Sequence, residues 1–537
     1  MQKFENEFTY RRFVESGKEQ EFDSLFESAI EEAKKRYIGK KYGIYIGGKE
    51  VLSGREYVEK SPIDGSEIAT FHLGDRSIAQ RAIGEANSAF EEWHKKSYKE
   101  RANLFLNAAN VFSKNKFIIG AVLSMENGKN RYESIGEVDE AIDFMRYYAI
   151  ELLKNRGYVV RHKLGGSTAK VSAGFQGAPG NEENIKINMV PYGVFGVIAP
   201  FNFPISISTG MSTGAMVTGN TVVFKPSSTD NTTMLSGYLI YEFLSEAGIP
   251  PGVFNYLPGP GSEVGDELVI NKEVKGIVFT GSRKTGMDMI KKAYDLGLQK
   301  VFVVEMGGKN PIIVSKTADL DEAAEGIVSA AFGYSGQKCS AGSRVYVHES
   351  VKEILTSKIV EKTKGLKIGN PLEKGVYIGP LISEKALQKY KESIEEAKKS
   401  GRIIYGGKVL DEKNRYVEPT IVEADHSNRL FKEELFVPIL LIDSYKDFEE
   451  AIRKANDTEY GLTSGLYSRN RGEIREFEEK IEAGVVYVNR RVSATTGAIV
   501  GAHSFVGWKG SGLTGKGTGS RFYLLQFLRE KSVAEVR

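Results

Sequence analysis

Residues 194–225 read VFGVIA, PFNFP, ISISTGMSTGAMVTGN and TVVFK in four successive blocks, and they decide the fold prediction. The β-branched runs 194–199 and 221–225 predict two strands. The intervening stretch 205–220 is apolar or small throughout and predicts a buried helix. A strand, a helix and a second strand in this order are typical of a parallel sheet with right-handed crossovers, which is the α/β class.

The same region carries no charge between Ile187 and Phe224. A bilayer-spanning helix needs about 20 mostly apolar residues. Here Pro191, Pro200 and Pro204 interrupt the run, together with five glycines. We therefore predict a buried core unit and no membrane span.

The alternation of strands and helices continues along the chain and forms two series. Later strands of the first series are predicted at 252–257, 276–280 and 300–305, and those of the second series at 311–314, 343–347, 402–407 and 484–489. Upstream, residues 1–45 predict a helical arm and residues 78–154 a helical region. The polar, glycine-rich segment 157–188 predicts a β-hairpin or flap, and the tail after Phe505 a similar element that could contact another subunit.

Composition narrows the class of protein. The 537 residues are 41% hydrophobic and 27% charged, as in ordinary globular proteins. Lysine and arginine total 73 against 70 acidic residues, a net charge of +3 that argues against nucleic acid as the main partner. The N-terminus lacks the apolar run of a signal peptide, and residues 1–30 are too acidic for a mitochondrial presequence. These features predict a cytoplasmic protein.

The sequence contains one cysteine, Cys339, so an intrachain disulfide is impossible. The six histidines lie far apart and none has metal-ligand spacing, so no metal site is predicted. A lone cysteine is more often a small buried hydrophobe than a nucleophile. The surrounding sequence GQKCSAG (336–342) is polar and flexible, however, which suits an exposed nucleophile in a tight loop.

Two further residues could act with that thiol. Glu305 ends a predicted strand, where a carboxylate faces the ligand crevice of α/β proteins, although it could equally be a solvent-exposed strand end. Asn202 lies between two prolines after the 194–199 strand and could donate to an oxyanion, or could simply stabilise its own turn.

A candidate phosphate cradle follows the 276–280 strand. Gly281, Ser282 and Gly286 open the next helix, whose first N–H groups favour phosphate, while Ser282 could also be a plain helix cap. Glycines 259, 261 and 265 come within one residue of the standard dinucleotide fingerprint without matching it. Together these features assemble a nucleophile, a base, an oxyanion donor and a phosphate cradle on one chain.

In this combination the sequence resembles the aldehyde dehydrogenase superfamily over residues 45–530. The motifs that carry the resemblance are PFNFP (200–204), Lys225-Pro226, Phe279-Thr280-Gly281-Ser282 with Gly286, EMGGK (305–309), GQKC (336–339) and Glu434-x-Phe436 before Pro438. They occur in the order and at the separations of that family, which makes the combination specific.

The resemblance implies a fold and a division into domains. A Rossmann-type NAD(P)-binding domain would comprise 46–160 and 190–305, and an α/β catalytic domain 306–500. A small β oligomerisation flap and tail would comprise 161–189 and 501–537, after the helical arm 1–45. The family also implies homo-oligomers built from dimers.

The resemblance also implies roles for individual residues. Cys339 would be the nucleophile, Glu305 the base that activates water, and Asn202 the oxyanion donor. NAD, with NADP as a possible alternative, would be held by seven residues: Lys225, Ser228, Gly281, Ser282, Gly286, Glu434 and Phe436.

A narrower resemblance is to the 1-pyrroline-5-carboxylate dehydrogenase branch of the superfamily, which oxidises glutamate γ-semialdehyde to glutamate in proline breakdown. The segments similar to that branch are 141–144, 255–265, 333–341 and 496–501. By this similarity, Ser340, Gly497 and Ala498 would hold the substrate α-carboxylate. Phe203 and Phe505 would line its aliphatic part.

The sequence departs from the family pattern at three places. Ser228 stands where NAD-preferring members often carry a glutamate, and its lack of charge would admit the 2′-phosphate of NADP. The loop 489–496 is about three residues longer than is usual in the branch. Val437 replaces a usual glycine, and Ser504-Phe505-Val506-Gly507 replaces a usual Pro-Phe-Gly-Gly.

Three alternatives to this function remain. The longer 489–496 loop would suit a dehydrogenase for another small aldehyde or semialdehyde. An acylating enzyme that uses coenzyme A needs no hydrolytic base, so Glu305 argues against it. A catalytically silent protein on the same fold would not need Cys339, Glu305 and Asn202 intact.

Overall fold

The computed structural model describes residues 4–164, 183–228, 232–491 and 498–536. The predicted Gly497 and most of the predicted flap therefore lie outside the described residues. Helices and strands alternate along most of the described chain. None of the described helices is both long enough and apolar enough to span a bilayer.

The α-helices are Thr9–Glu15 (α1), Glu19–Arg36 (α2), Arg76–Trp93 (α3), Tyr98–Lys114 (α4), Lys116–Asn127 (α5), Arg131–Lys154 (α6), Ser206–Val217 (α7), Met234–Glu246 (α8), Asp266–Ile270 (α9), Arg283–Asp295 (α10), Leu320–Phe332 (α11), Lys352–Lys364 (α12), Glu384–Ser400 (α13), Phe448–Asn456 (α14) and Arg471–Lys480 (α15). The predicted arm is thus two helices, and the predicted helical region contains α3 to α6.

The strands are Lys40–Tyr42 (β1), Ile44–Ile46 (β2), Lys49–Val51 (β3), Glu56–Lys60 (β4), Glu67–His72 (β5), Val159–Leu164 (β6), Glu183–Pro191 (β7), Val194–Ile198 (β8), Thr221–Lys225 (β9), Phe254–Tyr256 (β10), Val274–Gly281 (β11), Val301–Met306 (β12), Asn310–Val314 (β13), Gly342–His348 (β14), Arg402–Tyr405 (β15), Val409–Asp411 (β16), Tyr416–Val417 (β17), Thr420–Glu423 (β18), Ile439–Tyr445 (β19), Tyr460–Gly461 (β20), Thr463–Tyr467 (β21), Val485–Val488 (β22), Trp508–Lys509 (β23) and Leu528–Val536 (β24).

The first seven-stranded sheet has the order β12-β11-β8-β9-β10-β2-β3. Its first five strands are parallel, and β2 and β3 add an antiparallel edge. The chain runs outward from β8 to β10 on one side and then from β11 to β12 on the other. The switch point between β8 and β11 is where open α/β sheets bind ligands.

The second seven-stranded sheet has the order β15-β18-β19-β14-β13-β21-β22. Six neighbouring strands of this sheet are parallel, namely β18, β19, β14, β13, β21 and β22. Strand β15 is antiparallel to β18. The 402–407 segment is therefore an antiparallel edge strand and not part of the parallel series. The chain reaches β18 from β15 without a helix, and so the crossover that a parallel pairing requires is missing.

The deciding segment 194–225 folds as strand, helix and strand. All residues of β8 and β9 are buried, and α7 is buried along nearly its whole length. Burial on both faces explains why the run carries no charge. The loop between β8 and α7, which contains Asn202, opens at the carboxyl end of the sheet.

The flap strands and the tail form one small sheet. Strand β7 lies between β6 and β24 and pairs antiparallel with both. The pairing of β24 with β7 spans nine residue pairs, from Leu528 opposite Pro191 to Val536 opposite Glu183. This sheet joins the predicted flap to the predicted tail.

Candidate active site

The fold brings Cys339 and Glu305 into the wall of one cavity of about 650 Å³ at the switch point. Its size falls in the range of small-molecule sites. Three of the predicted substrate residues, Phe203, Ser340 and Phe505, also line this cavity. Sequence reasoning missed the other lining residues, which are Glu140, Phe144, Ile207, Met211, Val278, Phe279, Thr280, Val303, Thr518 and Tyr523.

Cys339 lies in a loop fixed from both sides. Helix α11 ends at Phe332, and Tyr334 and Ser335 follow with φ of 47° and 53°, so the thiol lies in a loop beyond the helix. The Asn310 amide donates to the carbonyls of Cys339 and Ala341 at 2.8 and 2.9 Å. These contacts hold the half-buried thiol in place.

The electrostatics around the thiol favour its neutral form. Burial raises the pKa of Cys339 to about 12, and the nearby Glu434 and Glu305 carboxylates add to the rise. The backbone N–H of Ser340 acts in the opposite direction. A base must therefore take the thiol proton before the sulfur can attack.

Glu305, the predicted base, lines the same cavity. It lies in β12 opposite Thr280 of β11. Burial raises its pKa well above the usual range, and a hydrogen bond from the Gly507 N–H, at 2.9 Å from Oε2, acts against that rise. A Cβ on Gly507 would lie 2.8 Å from the same oxygen, so this close approach needs a glycine.

Asn202 is 3% exposed and its Nδ2 donates to the carbonyl of Gln337 at 3.1 Å. An amide NH₂ has two hydrogens, and the second remains for a ligand. The contact ties the loop after β8 to the segment just before Cys339. The predicted oxyanion donor and the predicted nucleophile thus lie on loops that touch.

A buried ion pair supports the Asn202 loop, and no motif indicated it. Lys129 Nζ contacts both the Glu137 carboxylate and the Asn202 carbonyl, and both side chains of the pair are fully buried. The ammonium also lies 3.6 Å from the centre of the Phe203 ring. Glu137 in turn accepts from the N–H groups of Ile205 and Ser206 at the start of α7, at 2.8 and 3.2 Å.

The residues predicted to hold NAD(P) fit a ligand rich in hydroxyls. Lys225 ends β9, is buried, and takes part in none of the ion pairs among the described residues. Among the described residues its Nζ contacts Pro226 O at 3.1 Å and Ser228 Oγ at 3.2 Å, and burial lowers its pKa to about 8. A buried cation with no acidic partner among the described residues suits ligand oxygens.

Glu434 offers a second polar group for the same ligand. Its Oε1 accepts from the Gly308 N–H at 2.8 Å, and burial raises its pKa to about 7. A Cβ on Gly307 would lie 2.2 Å from Oε2, so the EMGGK turn needs glycine there. Phe436 lies two residues further on with φ of 60°, its ring 5.8 Å from that of Phe201.

The predicted phosphate cradle has the geometry of a helix cap. Ser282 Oγ accepts from the Thr285 N–H at 3.3 Å and caps α10. A Cβ on Gly286 would meet Met306 Sδ at 2.6 Å, and a Cβ on Gly281 would meet the Phe279 ring at 2.4 Å. Both glycines are thus required by packing, and their contact with a pyrophosphate stays a prediction.

The remaining predicted residues are Ser228, Ala498 and Gly497. Ser228 Oγ donates to Gly259 O at 2.7 Å and accepts from Gly259 N–H at 3.0 Å, which joins the loop after β9 to the loop after β10. Ala498 is half-buried at the start of the segment that leads to Phe505. Gly497, like most of the longer loop, lies outside the described residues.

Comparison with known proteins identifies the protein family of this chain. The sequence pattern of the aldehyde dehydrogenase family matches residues 51–533. The chain belongs to the aldehyde dehydrogenase family. It is thus an enzyme of that family with an α/β fold, as its motifs predicted.

Individual relatives within this family are similar to the chain over nearly its full length. The chain is 39% identical over 507 residues to the 1-pyrroline-5-carboxylate dehydrogenase of Anoxybacillus flavithermus, covering 93% of this chain and 94% of the relative. It is 37% identical over 508 residues to that of Bacillus subtilis, with 93% of each chain covered.

Solved structures agree with these relatives. The 1-pyrroline-5-carboxylate dehydrogenase from Thermus with bound NAD superposes with a TM-score of 0.89 at 36% identity, covering 100% of this chain and 99% of the other. A Staphylococcus aureus betaine aldehyde dehydrogenase in complex with NAD⁺ gives a TM-score of 0.85 at 28% identity, covering 95% and 97%. The predicted family and fold class are confirmed.

Proposed function

We propose that this enzyme oxidises L-glutamate γ-semialdehyde, formed from 1-pyrroline-5-carboxylate, to L-glutamate in proline degradation, with NAD or NADP as the hydride acceptor. The observation that carries the proposal is the shared cavity in which Cys339, Glu305 and Glu140 meet. It provides a nucleophile and a base for an aldehyde and a carboxylate for a second, cationic group. The full-length relatives named above carry the corresponding activity in their names.

The chemistry begins at Cys339. Glu305, whose pKa is raised by burial, takes the thiol proton, and the sulfur attacks the aldehyde carbon to form a thiohemiacetal. The second Asn202 N–H and the Cys339 backbone N–H stabilise the oxyanion. The substrate carbon gives up a hydride, for which bound NAD(P) would supply the acceptor. The carbon then remains on Cys339 as a thioester.

Hydrolysis completes the reaction. Glu305 first releases to solvent the proton that it took from the thiol, then takes a proton from water, and the hydroxide attacks the thioester carbon. The carbon–sulfur bond breaks, the thiolate of Cys339 leaves, and the product departs as a carboxylic acid. The Gly507 N–H holds the Glu305 carboxylate at the cavity wall during both proton transfers.

The substrate carries two charged groups besides its aldehyde. Glu140 on α6 lies in the wall of an otherwise mostly apolar cavity and would pair with the ammonium group. Ser340, Gly497 and Ala498 would bind the α-carboxylate, while Phe203 and Phe505 would enclose the aliphatic chain. Another small aldehyde is the alternative substrate. The longer 489–496 loop beside the carboxylate site would then account for the different substrate specificity.

The cofactor roles follow from the same geometry. Lys225 would bind the adenosine ribose, Glu434 and Phe436 the nicotinamide ribose, and Gly281, Ser282 and Gly286 the pyrophosphate. Ser228 introduces no negative charge beside the ribose, so we expect NADP to be accepted as well as NAD.

The setting of the enzyme is part of the proposal. We place it in the cytoplasm as a homo-oligomer of dimers, with the β6-β7-β24 sheet at the subunit contact and no nucleic acid or membrane partner. The domain boundaries given above, with the NAD(P)-binding domain at 46–160 and 190–305 and the catalytic domain at 306–500, are proposed with it.

The test is the absorbance of reduced cofactor with 1-pyrroline-5-carboxylate as substrate, measured with NAD and NADP in parallel. We expect turnover in the wild-type enzyme and none in the Cys339→Ser variant. Oxidation of simple aldehydes without turnover of this substrate would keep the family and contradict the proposed substrate.

A further inference from the structure

The N-terminal arm reaches the wall of the active-site cavity. Residues 4–9 run along α6, the helix that contributes Glu140 and Phe144 to the cavity. Thr9 donates through its N–H and its hydroxyl to Asp139, both at 2.7 Å. The Glu7 N–H donates to Asp143 Oδ1 at 2.9 Å. The arm is thus attached to α6 through two buried carboxylates.

One side chain of the arm connects α6 to a different element. Asn6 Nδ2 donates to Asp143 Oδ2 at 2.9 Å and to the carbonyl of Val500 at 3.0 Å. Both amide hydrogens are therefore used, one for α6 and one for the segment that contains Val500. Asp143 precedes Phe144 of the cavity wall, and Val500 lies two residues after Ala498.

Aromatic packing supports the same bridge. The rings of Phe4 and Tyr147 lie 5.1 Å apart in an edge-to-face arrangement. A Cβ on Gly501 would lie 2.8 Å from Phe4 and 2.9 Å from Tyr147, so the two rings enclose this glycine. Gly501 has φ of 78°, which a glycine adopts without strain.

The segment held by Asn6 continues into the cavity. Its turn is closed by hydrogen bonds between Ile499 and His503, at 2.7 and 2.8 Å. Phe505 then exchanges two hydrogen bonds with Thr518, at 2.7 and 3.0 Å, and both of these residues line the cavity. A movement at Val500 is therefore passed on to Phe505 and Thr518.

We infer that Asn6 is a positioning residue for substrate specificity: it holds the 498–505 segment against α6, and so sets the distance between the two sides that grip the charged end of the substrate. The inference rests on the proposed function, because it assigns the α-carboxylate to Ala498 and the ammonium group to Glu140. The aldehyde end is at Cys339, whose loop is held by Asn310 and makes no hydrogen bond to Asn6.

The test compares two aldehydes in the Asn6→Leu variant, which keeps the branching of the side chain at Cγ and removes both N–H donors. We expect the KM for glutamate semialdehyde to rise about tenfold, as for the loss of a hydrogen bond that holds the site. The KM and kcat for propionaldehyde, which has no charged end, should change less than about twofold. The control is Arg11→Leu, whose exposed side chain pairs with Glu15 and lies over the Phe8 ring, away from α6.

Three kinetic results would overturn the inference: equal losses for both aldehydes, an unchanged KM for glutamate semialdehyde, or the same effect in Arg11→Leu. If Asn6→Leu does not fold, Phe4→Ala, which removes the ring packed on Gly501, takes its place with the same expectations.

A second measurement needs no substrate. Hydrogen exchange at the amides of 499–505 and of Thr518 should be faster in Asn6→Leu than in the wild type, and unchanged exchange would contradict the bridge. If the wild-type enzyme oxidises propionaldehyde but not glutamate semialdehyde, the proposed function fails, and this exchange measurement still decides whether Asn6 holds the segment.

Discussion

At the scale of single residues, burial acts on Glu305 and Cys339 in the same direction and disfavours charge on both. A carboxylate with a raised pKa is a stronger base than one in water, which is what the removal of a proton from a thiol or from water requires. The Gly507 N–H keeps the carboxylate in place without neutralising it.

Replacement of this base should slow both halves of the reaction, because Glu305 takes the proton of the thiol and later the proton of water. In Glu305→Gln we expect the steady-state rate to fall by about a hundredfold or more, because water is no longer activated. The Gln side chain still accepts from Gly507, so the fold should persist. Rapid-mixing absorbance of reduced cofactor is the measurement, with the Cys339→Ser variant as the zero control. Retention of the full steady-state rate would remove Glu305 from this role.

Glu140 should make stability depend on pH. Burial, with the neighbouring Glu137 carboxylate adding, raises its pKa from 4.5 to about 7. The folded state then binds a proton that the unfolded state releases, so stability is highest at low pH and falls as the pH rises from about 4.5 to 7.

Glu140→Gln removes this contribution. Between about pH 4.5 and 7, the decrease in the free energy of unfolding should therefore be about 2–3 kcal/mol smaller in the variant than in the wild type. Denaturant unfolding at a series of pH values is the measurement. Parallel curves for the two proteins would contradict the raised pKa.

At the scale of elements, the loop between β8 and α7 depends on the Lys129–Glu137 pair. Removal of one partner leaves a buried charge uncompensated, which costs about 3–5 kcal/mol. We expect Lys129→Met to lower the free energy of unfolding by that amount, and Lys129→Met with Glu137→Gln to recover part of it. Urea unfolding measures both. A single variant as stable as the wild type would show that the pair does not hold the loop.

Elements built from neighbouring residues could be predicted from the sequence. The β8–α7–β9 unit follows from an apolar run, prolines and short β-branched segments, all local signals. The 252–257 strand is shorter than predicted because Gly252 has φ of 82° and turns the chain, leaving only Phe254–Tyr256 extended. Tyr334 and Ser335 likewise break the helix before Cys339 with left-handed backbone that their residue types do not indicate.

The missed site residues come from contacts between distant parts of the chain. Cys339, Glu305 and Asn202 lie in motifs, and although each residue alone was ambiguous, the combination of motifs indicated chemistry. Glu140 and Lys129 lie on or beside helices with ordinary sequences, and only tertiary packing brings Glu140 to the cavity and Lys129 to the Asn202 loop. Asn6 is 494 residues from the carbonyl that it holds, so no spacing in the sequence could reveal the contact.

At the scale of the whole molecule, the β6-β7-β24 sheet joins the tail to the predicted flap. Deletion of residues 528–537 removes β24 and leaves one side of β7 without its nine paired residues. We expect the truncated protein to lose its oligomeric state, with the mass from light scattering falling to that of a monomer. Lys531→Ala, which keeps the backbone pairing, is the control. An unchanged mass after truncation would place the subunit contact elsewhere.

The single cysteine allows the active site to be labelled selectively. Since Cys339 is the one thiol in 537 residues and lies in the cavity wall, a fluorescent maleimide would label this position alone. The labelled fraction would count accessible active sites in a preparation without any turnover assay. Because the chain has no second thiol, an oxidised Cys339 cannot be converted to an intrachain disulfide. Protection from inactivation must therefore come from an external thiol or from a ligand that fills the cavity.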